Sequence, residues 1–364
     1  MRKKVLLSGY FGFENLGDEA ILYSIIEELK KMDGIEITAL SADPQRTTRK
    51  FGVRSAERMS IFSLLKEIKN CDLLISGGGS LLQDVTSKRS LLYYIGLLDL
   101  AKRIFKKKVM IYSQGIGPIT DPKNRKKVGK ILDRMDIINV RDQASKQELI
   151  DMGVIKEISV TADTVFLLDK PDSAQGRAYL EKLGVDRTKK VIGLSIRPWK
   201  EYDERIVAEI GKTIKQLQTQ NLSILLLPFH HPGDLLLSKK VLDSLENTED
   251  VFLVEEQLNE REMLSLIVNT DIMLSMRLHG LIFGVVCNSY PIGISYDPKI
   301  DSLMQEMDLP QPISVKELSA ERLIAQIDSA VQNIDDREKQ TGMIAQKMKE
   351  KAMKNIDLIK ELLH

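Results

Sequence analysis

The sequence predicts an α/β protein made of two doubly wound parallel-sheet domains that face a cleft, and three observations carry this prediction. Its 364 residues exceed one domain of about 150 and suit two. Short β-branched or leucine-rich runs alternate with longer helical patterns, a rhythm that covers both faces of parallel strands with helices. That rhythm occurs twice, on either side of a weaker polar stretch.

The first series opens with residues 4–8 as a strand and 18–31 as a helix. Strands at 36–40, 72–76, 108–113, 137–140 and 158–162 follow, most of them ending in Gly, Ser or Asp. Between Leu168 and Lys190 the pattern weakens through Pro171, Asp172 and Ser173 and a short helical piece at 175–183. A second series has strands at 191–196, 222–228, 251–254, 272–275 and 291–295. Residues 320–363 read as helices rich in Lys and Glu that pack rather than react. The expected organisation is a Rossmann-like domain over 1–170, a linker over 171–190 and a second Rossmann-like domain over 191–335. A C-terminal helix over 336–364 then packs back across the lobes.

Apolar residues make up 43% of the chain and charged ones 29%, with 53 basic against 52 acidic side chains, which excludes a disordered or collagen-like chain. The near-zero net charge also argues against a general nucleic-acid binder, which draws on a basic excess. Cys71 and Cys287 lie far apart in apolar segments, so they neither staple a fold nor make a metal site, and a reducing compartment is implied. The basic start at 1–4 is followed too soon by Ser8, Gly9, Gly12 and three acids to read as an export signal. Apolar stretches such as 278–287 fall short of the roughly 18 residues that a membrane span needs. A cytoplasmic location is expected. The basic stretches 102–108 and 123–130 read as solvated faces that leave peripheral contact with an anionic membrane open.

Three glycine-rich turns follow strands of the first series. Gly9, Gly12 and Gly17 do not make a dinucleotide fingerprint, but the turn brings backbone amides near a ligand, with Asn15, Asp18 and Glu19 suited to sugar hydroxyls. The same acids also suit plain capping of the helix that follows. Gly77, Gly78 and Gly79 follow the strand 72–76, and Gln114 with Gly115 and Gly117 follows the strand 108–113, both facing the ligand crevice of an open sheet. Arg141 beside Asp142, and Asp163, read as ion-pair partners rather than catalysts.

The second series carries the sharper chemistry. Arg197 ends its first strand, while Arg277, His279 and Gly280 sit where the strand 272–275 turns into a helix. A helix N-terminus with Arg and His makes an anion site, in which the guanidinium binds phosphate or carboxylate bidentately. A buried core imidazole is the plainer reading of His279. Lys299, within Tyr296-Asp297-Pro298-Lys299, puts a point charge at the same rim, unless it is a solvated surface lysine. His230 and His231 have only Asp234 near them, so no metal is expected there.

In order along the chain, Gly-x-x-Gly-Phe-x-Asn-x-Gly-Asp-Glu, Ser-Gly-Gly-Gly, Gln-Gly-x-Gly-Pro, Arg-Asp, Ala-Asp, Ser-x-Arg and Ser-x-Arg-Leu-His-Gly resemble the polysaccharide pyruvyl transferase family. They run from Gly9 to His279, and within the family the set is most similar to the bacterial ketal pyruvyltransferases that modify secondary cell-wall polymers for S-layer anchoring. The resemblance implies a fold similar to the B-type glycosyltransferases and phosphoenolpyruvate as co-substrate with no other cofactor. It also implies a 4,6-ketal on a terminal N-acetylmannosamine of a lipid-diphosphate-linked saccharide. Arg277 and His279 match the family's Arg-x-His, and Arg197 and Lys299 join them as donor contacts.

On that footing His279 is the expected general acid, or the proton donor to departing phosphate. Arg277, Arg197 and Lys299, with Gly280, hold the donor and stabilise developing charge. Asn15, Asp18, Glu19, Gly78 and Gln114 form the acceptor shelf, with Asp18 or Glu19 taking the sugar's proton across the cleft. Two alternatives stand beside this reading: a nucleotide-sugar glycosyltransferase of the same architecture, and a non-catalytic anion or saccharide binder.

Overall fold

The computed structural model describes residues 2–85, 87–186 and 188–363. The expected domains begin at Met1 and end at His364, and both lie outside the described residues. The chain divides into two compact units, one of Met1–Leu167 joined by Lys349–His364 and one of Leu168–Met348.

In the first unit, β1 (Lys3–Ser8), β2 (Ile35–Ser41), β3 (Arg54–Glu57), β4 (Leu73–Gly77), β5 (Lys108–Gln114), β6 (Ile137–Val140) and β7 (Ile158–Val160) form one sheet among the described residues. Their order is β3-β2-β1-β4-β5-β6-β7 and every pairing is parallel. β4 is buried along its whole length, as a strand covered on both faces must be. The strand order reverses between β1 and β4, which makes their carboxyl ends the ligand position of such a sheet. β3 is absent from the sequence reading because Arg54, Ser55 and Glu57 leave it one apolar residue, Ala56. That composition suits a sheet edge.

The second unit has β8 (Lys190–Ser195), β9 (Leu222–Leu226), β10 (Val251–Leu253), β11 (Ile272–Ser275), β12 (Tyr290–Ser295) and β13 (Ile313–Ser314), in the order β10-β9-β8-β11-β12-β13. All of these pairings are parallel too, and the order reverses between β8 and β11. The two-residue β13 is too short to leave a sequence pattern.

The expected linker over 171–190 is corrected by packing. Its helix, Ala174–Leu183, belongs to the second unit: the Gly176 amide donates to Ser265 Oγ at 2.8 Å, and a Cβ on Gly176 would meet the Ser265 carbonyl oxygen at 1.7 Å. Only glycine permits that approach. The final helix, Ile334–Leu363, is one element, and from Lys349 onward it belongs to the first unit. There the fully buried Asn355 donates to the Ala162 carbonyl at 3.0 Å and accepts from Thr161 Oγ1 at 2.5 Å, tying the helix to the end of β7. Among the described residues no helix is long and apolar enough to cross a membrane.

Candidate functional site

In the second unit four strands deliver charged or titratable side chains just past their carboxyl ends. Arg197 follows β8, His230 and His231 follow β9, Arg277 and His279 follow β11, and Tyr296 and Lys299 follow β12. Arg277 takes the N-cap position of the helix Leu278–Val286, and its amide donates to Ser275 Oγ at 2.9 Å. Its guanidinium forks onto Asp234, with Nε donating to Oδ2 at 2.9 Å and Nη2 to Oδ1. Asp234 has no exposed surface and also accepts the Phe229 and His230 amides, each at 3.1 Å. An arginine fixed through Nε and Nη2 still presents its third nitrogen to an anion. The amides of the helix's first turn favour the same charge. His279 lies in that first turn, half-buried.

Arg197 Nη1 donates to the Tyr296 hydroxyl at 2.8 Å. Its guanidinium stands 4.6 Å from the Tyr296 ring centre and 5.4 Å from that of Trp199, and the two rings are 4.7 Å apart. The aromatic pair thereby holds the arginine in place through its π faces. Arg197 Nε is shut away from solvent with no hydrogen-bond partner among the described residues, an unmet donor of the kind a bound anion satisfies. Lys299 Nζ lies 5.2 Å from the Tyr296 ring and 3.5 Å from Asp297. Burial pushes the Tyr296 phenol up, but the charges of Lys299, Arg197 and Arg277 outweigh it and hold the phenol below its ordinary 10.0. Arg197 and Lys299 therefore both stand against Tyr296. Burial, reinforced by Arg277, lowers His230 below its ordinary 6.5. Among the described residues no three His, Cys, Asp or Glu side chains cluster as metal ligands would.

Two expected site residues change role here and in the first unit. Gly280 is buried, and a Cβ there would stand 2.3 Å from Ser275 Oγ, so its glycine serves the seating of the helix on β11. Gln114 is fully buried and its amide donates to the Ser76 carbonyl at 2.8 Å, which removes it from direct contact with an acceptor.

The other first-unit residues divide in the same way. Glu19 is turned inward: it accepts the Gly12 amide at 2.8 Å and lies 3.6 Å from Lys50, so it supports the loop and does not face solvent. Gly78 has φ +73° and a Cβ on it would meet Ile21 Cγ2 at 2.0 Å, while one on Gly77 would meet the Tyr112 carbonyl at 2.4 Å. Close packing on their own neighbours thus requires glycine at the first two of the three positions. Asn15 caps the helix Leu16–Lys30, accepting the Gly17 amide at 3.2 Å. Asp18 is half-buried and its carboxylate lies over Gly79, 2.9 Å from where a Cβ would be. Behind these turns Arg141 is buried among Asp163 at 3.2 Å, Ser80 at 3.3 Å and Asp142 at 3.4 Å.

Asp234, Tyr296 and Trp199 stand outside the site that the sequence predicts. An acid in the first turn of the helix after β9 is the signal that marks Asp234. An aromatic beside each cation, Trp199 after Arg197 and Tyr296 before Lys299, is the signal for the other two.

The sequence profile described as polysaccharide pyruvyl transferase matches residues 15–298. The amylovoran biosynthesis protein AmsJ of Erwinia amylovora is 20% identical over 292 residues, covering 76% of this chain and 69% of that protein. A glycosyltransferase from Rickettsia africae superposes with a TM-score of 0.69 at 14% identity, covering 100% of this chain and 99% of the other. Anabaena Alr3699/HepE in complex with UDP and glucose gives 0.66 at 13%, with the same coverage. At these identities the structural likeness is one of fold, and it puts the two parallel-sheet units in the B-type glycosyltransferase-like class. With the profile spanning most of the chain, from Asn15 at the first loop past Arg197, Arg277 and His279 to Pro298, this transferase belongs to the polysaccharide pyruvyl transferase family.

Proposed function

We propose that the protein moves the pyruvyl group of phosphoenolpyruvate onto the 4- and 6-hydroxyls of a terminal sugar, N-acetylmannosamine, of a lipid-diphosphate-linked cell-wall saccharide. Phosphate is released, no further cofactor is used, and the reaction takes place at the cytoplasmic face of the membrane. The observation that carries this reading is Arg197 and Lys299 standing against Tyr296, with the unmet Arg197 Nε, in the same unit as Arg277 at the N-terminus of the helix Leu278–Val286. Phosphoenolpyruvate has two anionic ends, and such a set suits both a phosphate and a carboxylate.

Chemically, carbon 2 of the donor must become electrophilic. A proton delivered to the methylene carbon creates oxocarbenium character, the first sugar hydroxyl adds at carbon 2, and the bond to the phosphate oxygen breaks. The second hydroxyl then closes the ketal. Of the two hydroxyl protons, one balances the new methyl group and the other leaves with phosphate. His279 is the proton donor in this scheme and the arginines stabilise the developing charge.

Incubation with phosphoenolpyruvate and synthetic lipid-linked or free disaccharides ending in N-acetylmannosamine tests the reading. It predicts a product heavier by one pyruvyl ketal and one phosphate freed per ketal. His279→Ala is expected to lower turnover by about 10²- to 10⁴-fold with donor affinity within a few-fold. Transfer of a hexose from a nucleotide sugar instead, with phosphoenolpyruvate untouched, would overturn it.

A further inference from the structure

The loop after β1 is built around two aromatic rings that the proposed chemistry does not use. Phe11 is buried and its carbonyl accepts the Ala42 amide at 3.0 Å, while Glu19 holds the Gly12 amide from below. Tyr10 and Phe13 point the other way. They remain 39% and 37% exposed and stack on each other, with ring centres 4.1 Å apart and planes within 13°. Phe13 is flanked by two residues in the left-handed region, Gly12 at φ +81° and Glu14 at φ +59°. Strain at a non-glycine residue is kept where surrounding structure over-determines it, and such places cluster at ligand sites.

Beneath the stack lies Arg58, only 5% exposed and one residue past the end of the edge strand β3. Its guanidinium stands 5.1 Å from the Phe13 ring centre and 6.0 Å from that of Tyr10, with Tyr93 and Tyr94 at 4.8 and 5.5 Å. Nη1 donates to the Gly9 carbonyl at 3.0 Å and Nη2 to the Tyr94 hydroxyl at 3.2 Å, so the same side chain grips the loop's backbone and supports its rings. Tyr93 in turn donates to the Arg58 carbonyl at 3.1 Å. A buried cation within reach of four rings fixes the geometry of a pair that solvent would otherwise leave mobile.

We propose that Tyr10 and Phe13 form a stacking platform for one pyranose ring of the saccharide acceptor. The proposal rests on the saccharide acceptor argued above. A pyranose has an apolar face of C–H bonds and a rim of hydroxyls, so it requires a flat aromatic surface beside polar groups. Both are here. The platform sits at the carboxyl end of β1, where the strand order reverses. Asp18 is near enough to act on the Tyr10 phenol, which burial pushes up with the Asp18 carboxylate adding to the effect and Arg58 opposing it. Asn15 lies two residues past Phe13 on the same loop. Two rings match one sugar in size, and the charged neighbours, Asp18 and the Glu14–Arg46 pair, suit a hydroxylated ligand better than an apolar one.

Saturation-transfer NMR of the full chain with the methyl glycosides of N-acetylmannosamine, glucose and galactose tests this, alongside transfer kinetics. The expected result is saturation reaching the ring C–H protons of at least one glycoside. Affinity should fall roughly tenfold in Phe13→Ala and in Tyr10→Ala, be retained in Phe13→Trp, and leave phosphoenolpyruvate affinity within twofold. Both rings are exposed, so the truncations leave the core intact, and a thermal melt verifies this. Unchanged saccharide affinity or acceptor KM in both alanine variants would overturn the platform, as would failure of all three glycosides to receive saturation from the wild type. Phosphate release from phosphoenolpyruvate is read separately. Normal release and transfer with unchanged acceptor KM in the variants removes the platform and spares the proposed reaction. Stacking without any phosphoenolpyruvate consumption does the reverse.

Discussion

Arg277 owes its orientation to Asp234, and the way that acid is held explains why. A carboxylate with no exposed surface accepts two backbone amides as well as both arms of the guanidinium, so it is fully satisfied and has no freedom to turn. Removing it would leave the arginine charge uncompensated, which costs about 3–5 kcal/mol for a buried pair. His230 shares this neighbourhood, where burial and then Arg277 disfavour its cation and hold it below its ordinary 6.5. The consequence for stability has a definite sign. Below the ordinary value of 6.5 the unfolded chain binds the proton first, so the contribution is complete above 6.5 and is lost as the pH falls through the lower folded value. Urea unfolding across that window should show stability declining on acidification, and His230→Gln should flatten the decline by up to one proton per molecule. An unchanged pH slope in the variant would contradict this account of His230.

Among elements, the glycine turns at strand ends are where chain geometry is least forgiving. Gly78→Ala would force a Cβ into Ile21 in a left-handed backbone, so a loss of about 1–3 kcal/mol is expected in urea unfolding at constant m. A variant as stable as the parent would mean that the turn is not held as described. The same turn marks the limit of what its sequence conveys. Ser-Gly-Gly-Gly locates a tight strand end, but it does not say whether the missing side chains make room for a ligand or for Ile21 and Tyr112. Strands such as β1, β4 and β11 were legible because they are buried runs of apolar residues, whereas β3 was hidden by its polar edge composition. Arg197, Arg277, His279 and Lys299 do follow strands, as their places in the sequence indicate. Glu19 and Gln114 could not be sorted, because polarity alone does not distinguish a side chain that faces solvent from one that satisfies a buried amide or carbonyl. The pairing of Asp234 with Arg277 is hidden for a different reason: the two lie 43 residues apart.

For the molecule as a whole, a net charge of only +1 means that the cationic site is a local arrangement, not part of a general positive field. Each unit is a doubly wound sheet with its own strand-order reversal, and polar and aromatic side chains stand at each reversal: Tyr10, Phe13 and Asp18 after β1 in the first, Arg197, Arg277 and His279 after β8 and β11 in the second. The central claim is that the second unit's cations recognise phosphoenolpyruvate. Calorimetric titration of the full chain with phosphoenolpyruvate, repeated with Arg197→Ala and with UDP-glucose, tests it most directly. The account predicts saturable binding of one phosphoenolpyruvate, weakened about 10- to 100-fold in the variant as charged hydrogen bonds are lost, and no heat from UDP-glucose. Equal affinity in Arg197→Ala, or tight binding of UDP-glucose with none of phosphoenolpyruvate, would contradict it.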